Sequence, residues 1–337
     1  MIGLTLVALV LLMAIFADFV APDDPRRPDE SFAPPDTVTF RDGDGHYSAF
    51  PRIYPNVESD KLDPVTFQPL NGPDFANPHY VGLFVKGAPY RMWGLIPGDR
   101  HLFGATDGAP AHFLGTDKFG RDVLSRGIFG SRISLMIALI VVSITTTVGA
   151  SVGLISGYIG GRFDAWFQRF VDMVLAFPQL PLYLALTSLI PITAPTSLFL
   201  GFVIVVLASL GWAQLSREVR SKTLALARID YVKAAVAVGA SDRRIIFQHI
   251  LPNVLSHIIV AVTLQIPAVV LLESFLGYLG FAVKPPLISW GLMLQDTGTF
   301  SVLGSYPWIL TPVAFVLATV FAFNALGDGL RDAVDPY

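Results

Sequence analysis

The sequence predicts an all-α membrane fold of six transmembrane helices, with a β-rich extracytoplasmic insertion between helices 1 and 2. Three observations carry this. The 337 residues are 53% hydrophobic and only 15% charged, with a mean hydropathy of +0.58, far from the composition of a soluble domain. The charges are unevenly spread: residues 21–132 hold more than half of them, and the remainder is largely long apolar runs. Those runs have the length a bilayer imposes, because a hydrocarbon core about 30 Å thick takes about 20 apolar residues as helix and offers no water to an unpaired amide.

Residues 1–20 form the first helix, since Ile2 to Val20 is apolar except for Asp18. The stretch lacks the basic n-region and small-x-small cleavage site of a signal peptide, so it is read as a retained span. Apolar sequence begins at residue 2 with no basic anchor before it, which points to a natural start upstream. Residues 21–132 follow as an extracytoplasmic segment. Its proline, glycine, aspartate and aromatic content, the short apolar pieces Tyr80–Val85 and Tyr90–Ile96, and turn signals at Asp42-Gly43-Asp44-Gly45 and Asn71-Gly72-Pro73 predict a small β-rich cap. Such a cap is either a docking surface for a soluble partner or a lid over the pore subunits. His46, His79, His101 and His112 show no paired metal-ligand spacing.

A five-helix core is predicted over residues 133–337. Ile133 to Gly161 carries no charge and is span two. The uncharged stretch between Asp172 and Arg217 is too long for one crossing, and Pro191-Ile192-Thr193-Ala194-Pro195 breaks it into a tight hairpin of spans three and four. Span five runs from about Val254 to Leu272 and span six from about Tyr306 to Leu326. Six crossings put both termini on one side.

Orientation follows from basic residues in short loops. The segment 217–252 carries Arg217, Arg220, Lys222, Arg228, Lys233, Arg243 and Arg244 against Glu218, Asp230 and Asp242, which makes it cytoplasmic together with both termini. Arg121, Arg126 and Arg132 then fall outside, against the rule, though long translocated segments obey it poorly. Within 217–252, Arg228 to Ala235 reads as a helix that Gly239 ends. Ser241-Asp242 caps a second helix from Arg243, and Leu251-Pro252 stops it before span five. Ala234, Ala235 and Gly239 are small, so another protein can approach the backbone there, or the chain's own spans can.

Other features narrow the chemistry. A net charge of −3 argues against nucleic-acid binding and against a polybasic membrane anchor. The absence of cysteine removes disulfides, thiolate catalysis and zinc–cysteine sites. No G-x-x-x-x-G-K-[ST] stretch is present to cradle ATP phosphates, and none of the six histidines pairs with a nearby acid inside a span as an intramembrane enzyme would require. Glu273 is the one acid at the outer end of span five. An ionisable group at that depth is by default functional, as a contact for a peptide's amino terminus or a basic residue of a partner, or it is a helix-end acid near the headgroups. Trp290 is read as an interfacial anchor.

Ala234-Ala235, Gly239 four positions on and Leu251-Pro252 resemble the EAA loop of ABC-importer permeases, whose pattern is E-A-A, three residues, G, nine residues, I-x-L-P. Lys233 stands where that family has glutamate, and His249 where it has isoleucine. The resemblance extends through His112 to Arg126, Ser289 to Leu294 and Gly327 to Asp332, which are similar to signatures of the second (C-type) permease subunit of the dipeptide/oligopeptide permease family. It implies the six-helix type I ABC importer permease fold and a multi-pass protein of the cell inner (cytoplasmic) membrane. It further implies the pore subunit of an ATP-driven importer of short peptides. Nickel chelates, glutathione-like and opine-type substrates are within reach of the same architecture, and a secondary transporter is the distant alternative. The partners implied are a second permease subunit, two ATP-binding subunits that hold the ATP and Mg, an extracytoplasmic solute-binding protein and membrane lipid; this chain binds no cofactor or metal. The ATPase-coupling loop implied is Tyr231, Lys233, Ala234, Ala235, Gly239, Ala240, Ser241 and Asp242, with Glu273 as a candidate for the substrate pathway.

Overall fold

The computed structural model describes residues 1–41, 46–62, 69–191 and 193–334. The chain begins with α1 (Ile2–Ile15) and a single further turn, α2 (Ala17–Val20). Among the described residues six strands follow: β1 (Thr37–Arg41), β2 (Tyr47–Tyr54), β3 (Asn56–Leu62), β4 (Pro69–Pro73), β5 (His79–Met92) and β6 (Ile96–Ala105). They form an antiparallel sheet in the order β1-β2-β5-β6 and a separate antiparallel pair, β3-β4. The turn read at Asp42–Gly45 lies outside the described residues. The turn read at Asn71-Gly72-Pro73 is instead strand, because all three residues pair with Glu58, Val57 and Asn56 of β3.

The helical part comprises α3 (Val123–Ile159), α4 (Gly161–Ala176), α5 (Gln179–Thr187), α6 (Thr196–Leu226), α7 (Asp230–Ala237), α8 (Asp242–Arg244), α9 (Leu251–Tyr278), α10 (Trp290–Leu294), α11 (Phe300–Ser305) and α12 (Thr311–Val334). Among the described residues, four helices are long and apolar enough to cross a membrane: Val123–Ile159, Thr196–Leu226, Asp242–Tyr278 and Pro307–Ala333. A fifth is obtained by counting α4 and α5, bent by 79° at their junction, as one broken span. The reading of a simple hairpin between Asp172 and Arg217 is thereby corrected. Its first arm is the nine-residue α5, too short at about 1.5 Å per residue to cross alone, and α5 is preceded by the charged, amphipathic α4. Ile192 of the proline break lies outside the described residues. The first predicted helix is also shorter, with α1 ending at Ile15 and a break at Phe16.

The helix that carries the uncharged run from Ile133 begins ten residues earlier, at Val123. Arg126 and Arg132 look like the end of a span in sequence, but both are inside α3 and both are paired. Arg126 is buried, with Nε 3.2 Å from Asp117. Arg132 donates to the Ala14 and Ile15 carbonyls of α1 and lies 2.8 Å from Asp18. A paired, hydrogen-bonded charge costs far less to bury than an isolated one. The helix starts at the Asp122 N-cap, whose carboxylate accepts from the Ser125 amide at 2.6 Å.

α3 is the spine of the core, packed on α6, α9, α1 and α12. Gly149, Gly153 and Gly157 recur every fourth residue on its α6 face. A Cβ on any of them would stand 2.6–2.9 Å from a carbonyl of Trp212, Ser216 or Arg220. Small residues at this spacing let two membrane helices approach backbone to backbone, where van der Waals contact replaces the hydrophobic drive that lipid removes. Trp290 belongs to this core too. It is fully buried, donates its indole N–H to the Gly127 carbonyl at 2.8 Å and stacks on Phe315, which corrects the reading of an interfacial anchor.

The segment before α3 is tied to the helix by charge. The His112 ring sits between Asp122 and Asp29, each 3.4 Å away, and its own amide donates to Asp36 at 2.7 Å. Burial alone would lower the imidazole pKa, but Asp122, Asp36 and Asp29 outweigh it and push it up to about 9. Because the folded value lies above the ordinary 6.5, the charged ring stabilises the fold fully below about pH 6.5, and the contribution disappears as pH rises through about 9. At about 1.4 kcal/mol per unit this amounts to ~3 kcal/mol. Thermal unfolding of wild type and His112→Asn in detergent should differ most at pH 6 and converge above pH 9; a difference constant over that range would refute the assignment.

Candidate coupling site

The segment between α6 and α9 is built so that one short helix is gripped from beneath and bare above. The region read from residue 217 starts as the last turns of α6, where Arg220 makes a two-pronged pair with Asp164 of α4, both contacts at 2.5 Å, and Arg217 pairs with Asp172. After Leu226 the chain turns, and α7 begins. Val232 is its buried side chain, enclosed by a cluster with Leu154 of α3, Leu215 and Val219 of α6, and Ile245, Ile250, Val254 and Ile258 leading into α9. Tyr231 adds a polar clamp: its hydroxyl donates to the His249 carbonyl at 3.1 Å and accepts from the Asn253 amide at 3.1 Å.

α7 stops at a left-handed glycine. Gly239 has φ +85°, its amide donates to the Val236 carbonyl at 3.0 Å, and the Ala240 amide donates to Ala235 at 3.0 Å. This is the αL termination that glycine makes without a steric cost. Ser241 occupies the N-cap position in an extended conformation, but its hydroxyl makes no capping bond. Asp242 accepts from the Tyr158 hydroxyl of α3 at 2.9 Å, tying the far side of the turn to the spine.

The helix that follows is not stopped by Leu251-Pro252, as its sequence suggests. It runs unbroken from Asp242 to Tyr278, with a π-helical stretch at Ile245–Ile250. The wider turn falls immediately before Pro252 and passes over the amide that proline lacks, so a proline in the first turn of α9 is tolerated.

The bare face carries Ala234, Lys233, Val236, Val238 and Gly239, with Ala235 and Ala240 half-buried. Val236 is 52% and Val238 85% exposed. These two valines were not among the residues singled out from sequence; only their exposure in the folded chain marks them. Lys233 lies 3.4 Å from Asp230, one turn back, so the reversed charge at this position is accompanied by a neighbouring acid in water.

Glu273 is elsewhere, on α9 near the other end of the spans. It has no exposed surface. Ser134 of α3 donates to its carboxylate at 3.0 Å and in turn accepts from the Trp290 amide of α10 at 3.1 Å, so the acid joins three helices of this chain.

A bundle of long apolar helices, with a small helix gripped at one end and an apolar turn presented outward, defines a multi-span membrane protein. Residues 149–337 match the family described as binding-protein-dependent transport system inner membrane component, and residues 1–35 match the N-terminal TM domain of oligopeptide transport permease C. The chain belongs to the former family. It is 41% identical over 265 residues to the oligopeptide transport system permease protein OppC of Salmonella typhimurium, covering 76% of this chain and 83% of that one. It is 39% identical to OppC of Bacillus subtilis, over 67% of this chain and 72% of that one. The dipeptide transport system permease protein DppC of Bacillus subtilis is also 39% identical, over 67% and 68%. A solved inward-facing structure of the MetNI methionine ABC transporter is similar at a TM-score of 0.47 and 17% identity, over 61% of this chain and 94% of that one.

Proposed function

We propose that this chain is a pore-forming permease subunit of an ATP-driven importer that takes up short peptides delivered by an extracytoplasmic solute-binding protein. It works beside a second permease and above two ATP-binding subunits that hold the ATP and Mg. In this reading α1 with α2 and the bent α4–α5 pair complete six crossings, and both termini and α7 face the cytoplasm. The insertion of β1 to β6 faces outside.

The observation that carries the proposal is the exposed Val236–Gly239 turn on a helix whose opposite side is locked into α3, α6 and α9. Tyr231, Lys233, Ala234, Ala235, Gly239, Ala240, Ser241 and Asp242 form the contact with the ATP-binding subunit. When those subunits close, they push α7, and Val232, Tyr231 and Asp242 pass the displacement to three spans at once, because a close-packed interior moves as a body and does not deform locally. Glu273 serves the pore by holding α3, α9 and α10 in register; its enclosure favours this role over direct contact with substrate.

A tagged chain purified from membranes should bring with it a second permease and an ATPase. In proteoliposomes with the binding protein, the complex should take up a labelled pentapeptide only with ATP. Isolation without an ATPase, or uptake driven by an ion gradient alone, would refute the reading. Competition by nickel chelates, glutathione or opines in the same assay identifies the substrate class.

A further inference from the structure

The β5–β6 hairpin does not simply stand above the membrane helices; it reaches back to them. At its tip Trp93 lies over the Arg132 guanidinium, 4.6 Å from ring centroid to Cζ, and lower on β5 the ring of Phe84 is 6.0 Å from Phe19. Phe84 and Trp93 both have φ +54°, a region that bulky side chains rarely enter unless surrounding contacts hold them there. The Phe84 carbonyl is held by Arg100 at 3.1 Å.

The level at which the tip sits is set by its partners. Arg132 is the last charge before the uncharged run that begins at Ile133, and it is bonded to Ala14, Ile15 and Asp18, where the apolar run of α1 ends. The uncharged runs of α1 and α3 both end in that layer, which we take as the edge of the hydrocarbon. Beyond Trp93 the turn presents Leu95, 81% exposed, and Ile96, also exposed, with Arg91 beside them. The Gly94 and Leu95 amides donate to Arg91 and Met92, so the whole tip stays within one turn of Trp93. Further back, Leu83 and Phe84 are exposed near α2, where Phe84 meets Phe19, and α1 exposes Leu9, Leu12 and Phe16. Tryptophan and arginine at the interface with aliphatic side chains next to them is the composition of a membrane-interfacial anchor.

We infer that the Trp93-Gly94-Leu95-Ile96 tip inserts into the headgroup region of the leaflet facing the insertion, so that the sheet is a lipid-anchored arm pinned by Phe84 and Trp93. The occupant of this apolar surface is phospholipid, because Trp93 is seated on Arg132 at the layer where the apolar runs of α1 and α3 end, and α1 itself exposes Leu9, Leu12 and Phe16.

The chain has no cysteine, so Leu95→Cys gives a single nitroxide site. The full chain, with the subunits that accompany it, is placed in nanodiscs of phosphatidylethanolamine and phosphatidylglycerol, with Leu12→Cys and Phe50→Cys as membrane and water references. Power-saturation spectroscopy should show oxygen accessibility at residue 95 several-fold higher, relative to a nickel chelate, than at residue 50. Chelate accessibility equal to that at residue 50 would overturn the inference, as would exclusion of both reagents, which would assign the tip to a protein contact. Should the cysteine variant misfold, the unsubstituted chain supplies a second readout. Its emission minus that of Trp93→Phe should be quenched by lipids brominated near the headgroup, and an unquenched difference would overturn the inference equally.

Discussion

Replacing Gly239 by leucine is expected to abolish transport while leaving the chain in the membrane at wild-type amounts. The residue lies at φ +85°, where a side chain costs about 1–2 kcal/mol, a cost confined to the end of an exposed turn. A Cβ there meets nothing of this chain within 4 Å, so a leucine would project beside Val238 into the space assigned to the ATP-binding subunit. Its damage then falls on that contact and not on the embedded helices. Uptake in proteoliposomes and the amount of inserted chain, measured on the same preparation, separate the two. Gly239→Ala carries a similar backbone strain with little bulk and should retain part of the activity. Full uptake by the leucine variant would remove this turn from the coupling site, and equal failure of both variants would make the backbone angle, not the close approach, the reason for glycine.

Much of this architecture was legible as one-dimensional pattern. Four spans announce themselves because an uncharged run of bilayer length has few other stable fates. The start of α3 was hidden because a charge's cost depends on its partner. Arg126 and Arg132 argue against helix only until Asp117 and Asp18 are seen beside them. The bent α4–α5 pair was hidden for a different reason: α4 carries Arg162, Asp164, Arg169 and Asp172, and it is held to α6 by pairs whose members are about fifty residues apart. At the candidate coupling site, the helix, its glycine stop and the following turn could be read from spacing. The outward face could not, since Val232 and Val236 are the same residue one turn apart. Only the hydrophobic cluster beneath decides that the first is buried and the second bare. Trp290 and Glu273 are similar cases, polar-tipped side chains whose surroundings are supplied by Gly127, Ser134 and Phe315 far away in sequence.

Gly120→Val is expected to cost more stability than any surface change in the segment before α3. Residues 29–33 dock against 116–120 through a ladder of bonds. Asp29 donates to the Gly120 carbonyl at 2.8 Å, Phe32 to Asp117 at 3.0 Å and Ala33 to the Thr116 hydroxyl at 2.7 Å, while the Thr116 amide returns to Ala33 at 2.9 Å. Gly120 has φ +74°, and a Cβ on it would lie 1.9 Å from the Asp29 carbonyl oxygen. That obstacle is backbone fixed by the ladder itself, so the variant must give up the docking as well as adopt a strained angle. Losses of about 4–5 kcal/mol belong to such combined effects. Gly94 provides the control, with the same φ of +74° and open space around it; Gly94→Val should lose only the conformational part, about 1–2 kcal/mol. Melting in detergent, together with trypsin cleavage after Arg26 beside the ladder, reads the difference. The Gly120 variant should melt well below the Gly94 variant and be cut rapidly there, and matching melts for the two would show that the close approach at Asp29 does not hold the segment to α3.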